Sequence, residues 1–412
     1  MINNTLKLPF ILILFVSIFW IVQETIILEN DMMKMKHSID KQNITLNYKE
    51  NKLFRVCFKF IYSILFSIII FLLVTTSIKC INKHLKILIS RKSKDNIEKE
   101  IIFLKMLRNI LDKCEILENE MMNKHTTFEL GGPAKFFIKP NSINKIIKVL
   151  KLCKEYSIDY FILGNGSNLL VSDKGYDGLV INIHEENFSD LKIKQIDEIY
   201  YEVKVGGGML MRTLAKRLCL LSLSGLEDII DIPGTIGGGI IMNASAGLIN
   251  KLIYDSLNKV KVITPEGEIK ELTKKECKLV HRGSMLKDNK YMVIEATFNL
   301  IKEDKIIIQK RMTEHTSKRY SKQPMYFPSA GCFFAWFKPN FGSLHQKYKE
   351  NNLVSYRIGD AMIYTHNVAF IVNLGNAKAS DVYQIVTHVE KIFRDKYDIE
   401  IKREVIVLGS FT

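Results

Sequence analysis

Gly164-Asn165-Gly166-Ser167-Asn168-Leu169-Leu170-Val171 follows directly on Tyr160-Phe161-Ile162-Leu163. The four apolar residues before the first glycine read as a buried strand that ends in a turn. Glycines let main-chain amides approach a ligand with no Cβ in the way, and consecutive N–H groups in such a turn form a nest for phosphate oxygens. Taken alone, a Gly-x-Gly is more often just a tight turn. It is not a dinucleotide fingerprint of the Rossmann type, because the third glycine is missing and an extended run follows where a helix should start.

A second segment about 70 residues on changes the balance. Ser224-Gly225-Leu226-Glu227 leads to Ile232-Pro233-Gly234-Thr235-Ile236-Gly237-Gly238-Gly239 and then to Met242-Asn243-Ala244. Its glycines sit among apolar residues, which an ordinary surface loop rarely shows. Such a segment suits close approach of backbone to a diphosphate or a flat ring. Two loops of this kind can close on one extended cofactor.

Around these loops the chain alternates short β-rich runs with amphipathic helices. Ile143, Ile146, Ile147, Leu150 and Cys153 share one helical face within 143–156. Further helices are expected at 209–219 and 380–396, and strands at 178–183, 200–205, 258–263, 292–299, 368–373 and 404–408. The expected class is α+β, with no repeat of 20–50 residues.

The whole chain has 412 residues, 47% of them apolar and 25% charged, and a formal charge of +15. That composition excludes wholesale disorder. The charge invites a nucleic-acid reading until it is located. Residues 1–100 hold 15 basic and 8 acidic side chains, so +7 of the excess lies beside the most apolar runs. Basic residues flanking apolar runs point to a membrane first, and no aromatic–basic interleaving supports nucleic-acid binding.

Phe60 to Ile78 is an uncharged run of 19 residues between Lys59 and Lys79. At about 1.5 Å per residue it matches a hydrocarbon core of roughly 30 Å. A second apolar stretch covers 8–28, interrupted by Glu24. One or two transmembrane helices are therefore expected within residues 1–100, with 80–118 as a basic linker and helical lead-in. The seven cysteines are odd in number, widely scattered and without a Cys-x-x-Cys, so neither a disulfide framework nor a metal site is expected.

Together the motifs resemble the UDP-N-acetylenolpyruvoylglucosamine reductase (MurB) family. The resembling residues begin with His125-Thr126-Thr127-Phe128 and Gly131-Gly132-Pro133-Ala134, and continue through the two loops and Val171-Ser172-Asp173. They go on with Arg282-Gly283-Ser284, Gln323-Pro324, Pro328-Ser329-Ala330-Gly331-Cys332, His366-Asn367-Val368-Ala369-Phe370-Ile371-Val372-Asn373 and Glu404-Val405. Order and spacing are kept over roughly 119–409. The resemblance implies an FAD-binding module of the vanillyl-alcohol-oxidase (PCMH) type at 119–295, then a smaller α+β substrate domain at 296–412. It further implies FAD and NADPH as cofactors, a UDP-sugar as substrate, and a monomer whose catalytic part is cytoplasmic.

The implied cofactor-binding residues are Gly164, Asn165, Gly166, Ser167, Asn168, Gly225, Gly234, Thr235, Gly237, Gly238 and Asn243. The implied catalytic residues are Arg282, to stabilise charge developing at the substrate carboxylate, Glu404, to assist in its protonated form, and Cys332, to donate a proton. Cys332 stands where many relatives have serine. The sequence also departs from the family at His281, at the longer 334–339 run and at Gln346. The 50 positions between Arg282 and Cys332 leave no room for an extra tyrosine-bearing loop, which marks the loopless type. Two other readings compete with a reductase: an oxidase of the same flavin superfamily, acting on an alcohol or sugar, and an inactive membrane-anchored flavin-binding protein.

Overall fold

The computed structural model describes residues 98–244, 253–280, 282–334 and 343–411, with scattered positions before residue 98. The chain divides into two units, Met1–Glu98 and Lys99–Thr412. In the first, the described positions between 61 and 79 are helical, and Ile61, Ile64, Ile68 and Phe71 are exposed. The apolar runs at 8–28 and 60–78 otherwise lie outside the described residues. Among the described residues no helix is long and apolar enough to cross a membrane.

The second unit begins earlier than residue 119. Residues 98–110 are helical, and Phe103, Leu107 and Leu111 are buried against Phe136, Ile146 and Leu150. Burying side chains of this size contributes about 1.5–3 kcal/mol each, so this helix is part of the folded body and not a linker. The expected helical lead-in is thus present, but Ile101, Ile102 and Met106 are exposed beside its Lys and Arg residues, so the pattern alone does not mark which apolar side chains are buried.

Strands β1 (Ile116–Met121), β2 (Pro133–Ile138), β3 (Tyr160–Leu163) and β5 (Tyr176–Asn182) form a four-stranded sheet in the order β1-β2-β5-β3. The β2–β5 and β3–β5 pairs are parallel. Parallel pairs need a crossover, and the β2–β5 connection runs through helix α1 (Ile143–Tyr156). Ser142 caps its first turn, accepting from Lys145 N–H, and Ser157 ends it in the left-handed region. The short strand β4 (Leu169–Val171) follows the Gly164–Asn168 turn.

A second, antiparallel sheet is built from β6 (Leu191–Gln195), β7 (Tyr200–Gly206), β9 (Leu257–Ile263), β10 (Ile269–Thr273) and β11 (Met292–Lys302), in the order β10-β9-β11-β7-β6. The two-residue β8 (Leu223–Ser224) pairs with the end of β11. Helices α2 (Met211–Leu220) and α3 (Ile236–Ile241) lie over this sheet and share its core, where Val205, Leu214, Leu218, Ile236 and Phe298 are all within 2% of full burial. The boundary expected at 295/296 would cut β11 in its middle. The strand stays paired with β7 as far as Ile301, so that boundary does not coincide with the end of an element.

After α4 (Met285–Asp288) and β11, helix α5 (Lys305–Lys322) carries the chain to a third sheet. Strands β12 (Ser329–Cys332), β13 (Arg357–Ile358), β14 (Ala361–Ile363) and β15 (Phe370–Asn373) lie in the order β12-β15-β14-β13. Helix α6 (Leu344–Glu350) and helix α7 (Ala379–Tyr397) cover it, with Val382, Ile385, Val386, Val389 and Phe393 of α7 in the core. Strand β16 (Ile406–Leu408) then returns to the first lobe and pairs in parallel with β4, Ile406 opposite Leu169 and Leu408 opposite Val171. This return brings the end of the chain beside the Gly-rich turn.

Candidate active site

A cavity of about 780 Å³ is lined by strand residues of the first and third sheets and of the β4–β16 pair, and by residues of α2, α3 and the loop before α3, which pack on the second sheet. One wall is the 164–168 turn. Gly166 has φ +63, and a Cβ there would stand 2.0 Å from the His125 carbonyl oxygen. Gly164 is crowded from the other side, with Thr235 Oγ1 2.6 Å from where its Cβ would be. Only glycine fits either position. Thr127 N–H donates to the Gly166 carbonyl at 3.2 Å, which fixes the turn to the His125-Thr126-Thr127 segment. Among the described residues, the amides of Asn165, Gly166, Ser167 and Asn168 donate to no protein acceptor. Four consecutive unpaired amides on a cavity wall make an anion nest.

The second Gly-rich segment packs against the first. Asn165 Nδ2 donates to the Pro233 carbonyl at 2.8 Å, so the two loops meet as their sequences suggested. Gly234, Thr235 and Gly238 line the cavity. The second loop satisfies itself, however. Thr235 Oγ1 accepts from Gly238 N–H at 3.2 Å, and Gly237 N–H donates to the Gly207 carbonyl at 2.8 Å. Three of the expected cofactor contacts lie behind the wall. Gly225 sits beside Leu300 and Ser256, and Gly237 packs α3 on the backbone of Gly207 and Val293. Asn243 is buried and donates through Nδ2 to the Val280 carbonyl at 2.7 Å. These glycines serve close backbone packing, which leaves the same trace in a sequence as ligand approach does.

Asn243 thereby supports the turn that carries Arg282. Val280 and Gly283 exchange two backbone hydrogen bonds, at 3.0 and 3.2 Å, and Arg282 sits between them with φ +58. That conformation is strained for a long side chain, and strain of this kind is retained where the surroundings over-determine it. Ser284 locks the far side, its hydroxyl donating to the Ile241 carbonyl at 2.7 Å.

Cys332 ends β12. Between Ser329, opposite Val372, and Cys332, opposite Phe370, the register gains a residue, and Gly331 takes φ +81 there. This bulge re-aims the end of the strand, and Cys332 joins the cavity wall. Phe333 N–H then donates to the Ala369 carbonyl at 2.8 Å. Burial pushes the Cys332 thiol up to about 11, the neighbouring Glu404 charge adding to the effect while Arg282 and Arg319 oppose it. At neutral pH it is a thiol and not a thiolate.

Glu404 lies just ahead of β16. Its Oε1 is 3.0 Å from Arg282 Nε. Burial raises its carboxyl above the ordinary value, against the opposing charges of Arg282 and Lys287. Arg282, Cys332 and Glu404, spread over 122 positions of sequence, thus meet on one cavity wall.

Sequence reasoning missed the further cations, among them Arg212. Arg319 and Lys322, in the last turn of α5, both line the cavity. Arg319 Nε is buried with no hydrogen-bond partner among the described residues. Burial lowers the Arg319 pKa; Asp231 and Cys332 act to raise it, and the charges of Arg282 and Arg212 to lower it. Asp231 is held by Thr316, whose hydroxyl donates to it at 2.5 Å. The available signal was two basic residues three apart, immediately before Gln323-Pro324. Gln346, by contrast, faces solvent and bonds Glu350 Oε1 at 3.0 Å, while His281 and 335–340 fall outside the described residues.

Comparison with known proteins agrees with this geometry. Residues 134–273 match the family described as FAD binding domain, and residues 323–408 match the UDP-N-acetylenolpyruvoylglucosamine reductase C-terminal domain. The chain is 36% identical over 309 residues to the UDP-N-acetylenolpyruvoylglucosamine reductase of Clostridium novyi, covering 74% of this chain and 96% of that one. It is 38% identical over 293 residues to the enzyme of that name from Listeria welshimeri, covering 71% and 95%. The solved structure of the reductase from Thermus caldophilus superposes with a TM-score of 0.59 at 30% identity, over 72% of this chain and 98% of that one. The FAD-binding α+β architecture expected from the motifs is therefore present. On fold, cavity and relatives together, the chain belongs to the UDP-N-acetylenolpyruvoylglucosamine reductase family.

Proposed function

We propose that this chain reduces UDP-N-acetylglucosamine enolpyruvate to UDP-N-acetylmuramate, with FAD as resident cofactor and NADPH as electron source. The observation that carries the reading is the convergence of Arg282, Cys332 and Glu404 on a cavity that the free-amide turn 165–168 also lines. The relatives' names supply the substrate. The residues present fit the cofactor: the turn offers unpaired N–H groups to a pyrophosphate, and glycine is required where backbone crowds it. When bound, FAD supplies hydride transfer, accepting from NADPH and delivering to the substrate.

The side chains handle the charge and the proton. Hydride addition at the terminal carbon of the enolpyruvyl double bond leaves negative charge on the adjacent carbon and its carboxylate. Arg282 and Arg319 place two cations on this wall, where a desolvated charge is worth far more than in water. Glu404, whose carboxyl burial raises above its ordinary value, would in its protonated form donate a hydrogen bond to the developing charge. The Cys332 thiol gives its proton to the carbanionic carbon, and the thiolate then recovers one from solvent.

We further read residues 1–100 as a membrane tether, on the strength of the uncharged run Phe60–Ile78 between two lysines, with the body a cytoplasmic monomer. Recovery of the full chain in the soluble fraction without detergent would reject the tether. The enzymatic reading is tested by incubating the FAD-loaded full chain with NADPH and the enolpyruvyl nucleotide. The expected outcome is one NADPH consumed per substrate and a product heavier by two hydrogens; NADPH oxidation indifferent to that nucleotide would reject it.

A further inference from the structure

Asn168 closes the Gly-rich turn, and its side chain is turned to the protein. Its Nδ2 donates to the Glu404 carbonyl at 3.1 Å, and its own carbonyl accepts from Ile406 N–H at 3.1 Å. From the other side, Glu404 N–H donates to the Phe333 carbonyl at 2.8 Å, one residue beyond Cys332. Phe334 and Arg403 complete the bridge next to it. The main chain at Glu404 is thus held at both of its polar groups, the carbonyl by the cofactor turn and the amide by the Cys332 strand.

The position of this clasp matters. The ladder between β16 and β4 starts only at Ile406, so no strand partner is available for the Glu404 carbonyl. Without Asn168 that group loses its acceptor role in a part-buried place, and the residue is tethered on one side only. The carboxyl above it works over a short range, since Oε1 stands 3.0 Å from Arg282 Nε. A displacement of about 1 Å at such a group can cost on the order of 100-fold in rate.

We propose that Asn168 is a positioning residue for the reaction: its side-chain amide fixes the Glu404 backbone, so that the cofactor turn itself sets where the carboxyl stands relative to Arg282 and Cys332. The amide therefore does not serve the cofactor, although the backbone beside it does. The inference rests on the reading of Glu404 as a group that acts on the substrate.

The test uses the FAD-loaded full chain with Asn168→Ala and with Asn168→Leu, which keeps the approximate shape and loses the donor without adding charge beside the anion nest. Three quantities are read: flavin retained, the rate of flavin reduction by NADPH, and the rate at which the enolpyruvyl nucleotide reoxidises the reduced flavin. The expected result is near-normal flavin content and reduction, with the limiting reoxidation rate down by about tenfold or more. The nucleotide concentration for half-saturation should barely move. In a Glu404→Gln background the Asn168 changes should have little further effect on reoxidation.

Full persistence of the Asn168 effect in that background would overturn the proposal, as would equal loss of both half-reactions with loss of flavin. A normal reoxidation rate in both Asn168 variants would do the same. If Glu404→Gln alone reoxidises at the normal rate, the reading of Glu404 fails first, and the two failures are told apart.

Discussion

Arg282 Nε lies 3.0 Å from Glu404 Oε1, yet the N–H is not aligned for a hydrogen bond, and Nε is buried without one among the described residues. The pair is therefore a close charge contact and not a closed fork of two hydrogen bonds. Burial outweighs the attraction, so the Glu404 carboxyl is raised and not lowered. An arginine with an unfilled donor beside a carboxyl that burial shifts toward its protonated form is an arrangement suited to receiving a carboxylate ligand. Arg319, its Nε equally unfilled, stands on the same cavity.

Because its protonated form is the useful one, Glu404 should set a limb in which substrate reduction falls as pH rises through its raised pKa. Lys287 acts to lower that pKa. Lys287→Met should therefore move the limb to higher pH, by less than about one unit for an exposed charge. A pH profile of flavin reoxidation checks this, and a shift to lower pH would contradict it. The sign for stability follows the same direction: a raised carboxyl contributes most below its unfolded value and loses that contribution as pH rises through the folded one.

Cys332→Ala should leave flavin reduction by NADPH largely intact while slowing substrate reduction by about 100-fold or more, the usual worth of a general acid. Cys332→Ser, which keeps a donor, should retain much more. Rapid mixing of each half-reaction separates the two. With its pKa pushed up to about 11, the Cys332 thiol should also alkylate far more slowly at pH 8 than the exposed Cys114. Mass spectrometry of the alkylated peptides reads that ratio.

Gly166→Ala forces a Cβ into the His125 carbonyl at 2.0 Å and holds alanine at φ +63. The left-handed conformation alone costs about 1–2 kcal/mol, and relief of the clash must move the turn whose amides face the cavity. The variant should purify with little flavin and regain little on adding FAD, as read from absorbance in the visible. Wild-type flavin content would show that this turn does not hold the cofactor.

A chain starting at Glu98 should fold and bind flavin, whereas one starting at Glu118 should not. The second loses Phe103, Leu107 and Leu111 from a shared core. Removing buried side chains of that size costs about 2–5 kcal/mol each when cavities remain, against a total stability of about 5–15 kcal/mol. Thermal unfolding and flavin retention of the two chains decide it.

Much of the fold was legible in the sequence. The helix expected at 143–156 matches α1, and the expected strands at 200–205 and 258–263 match β7 and β9 to within a residue at each end. Those elements declare themselves by local periodicity. The helical lead-in expected within 80–118 is present at 98–110, but its place in the core was not legible, since its burial depends on Phe136 and Leu150 from other elements. That Arg282, Cys332 and Glu404 line one cavity was legible because their motifs are dense. Arg319 was not, because nothing local distinguishes the inward face of a lysine- and arginine-rich helix. Gly225, Gly237 and Asn243 lie behind the cavity wall, and their sequence signal is ambiguous for the converse reason: backbone crowding at a packing contact and at a ligand select the same residues.

The central claim is that reduced flavin in this cavity gives its electrons to an enolpyruvyl nucleotide. The direct measurement is to reduce the FAD-loaded chain with one equivalent of NADPH in the absence of oxygen, then mix it with UDP-N-acetylglucosamine enolpyruvate and follow the flavin absorbance. Rapid return of the oxidised spectrum, with UDP-N-acetylmuramate formed in equal amount, is the predicted result. A flavin that stays reduced until oxygen is admitted would contradict the account and point to an oxidase.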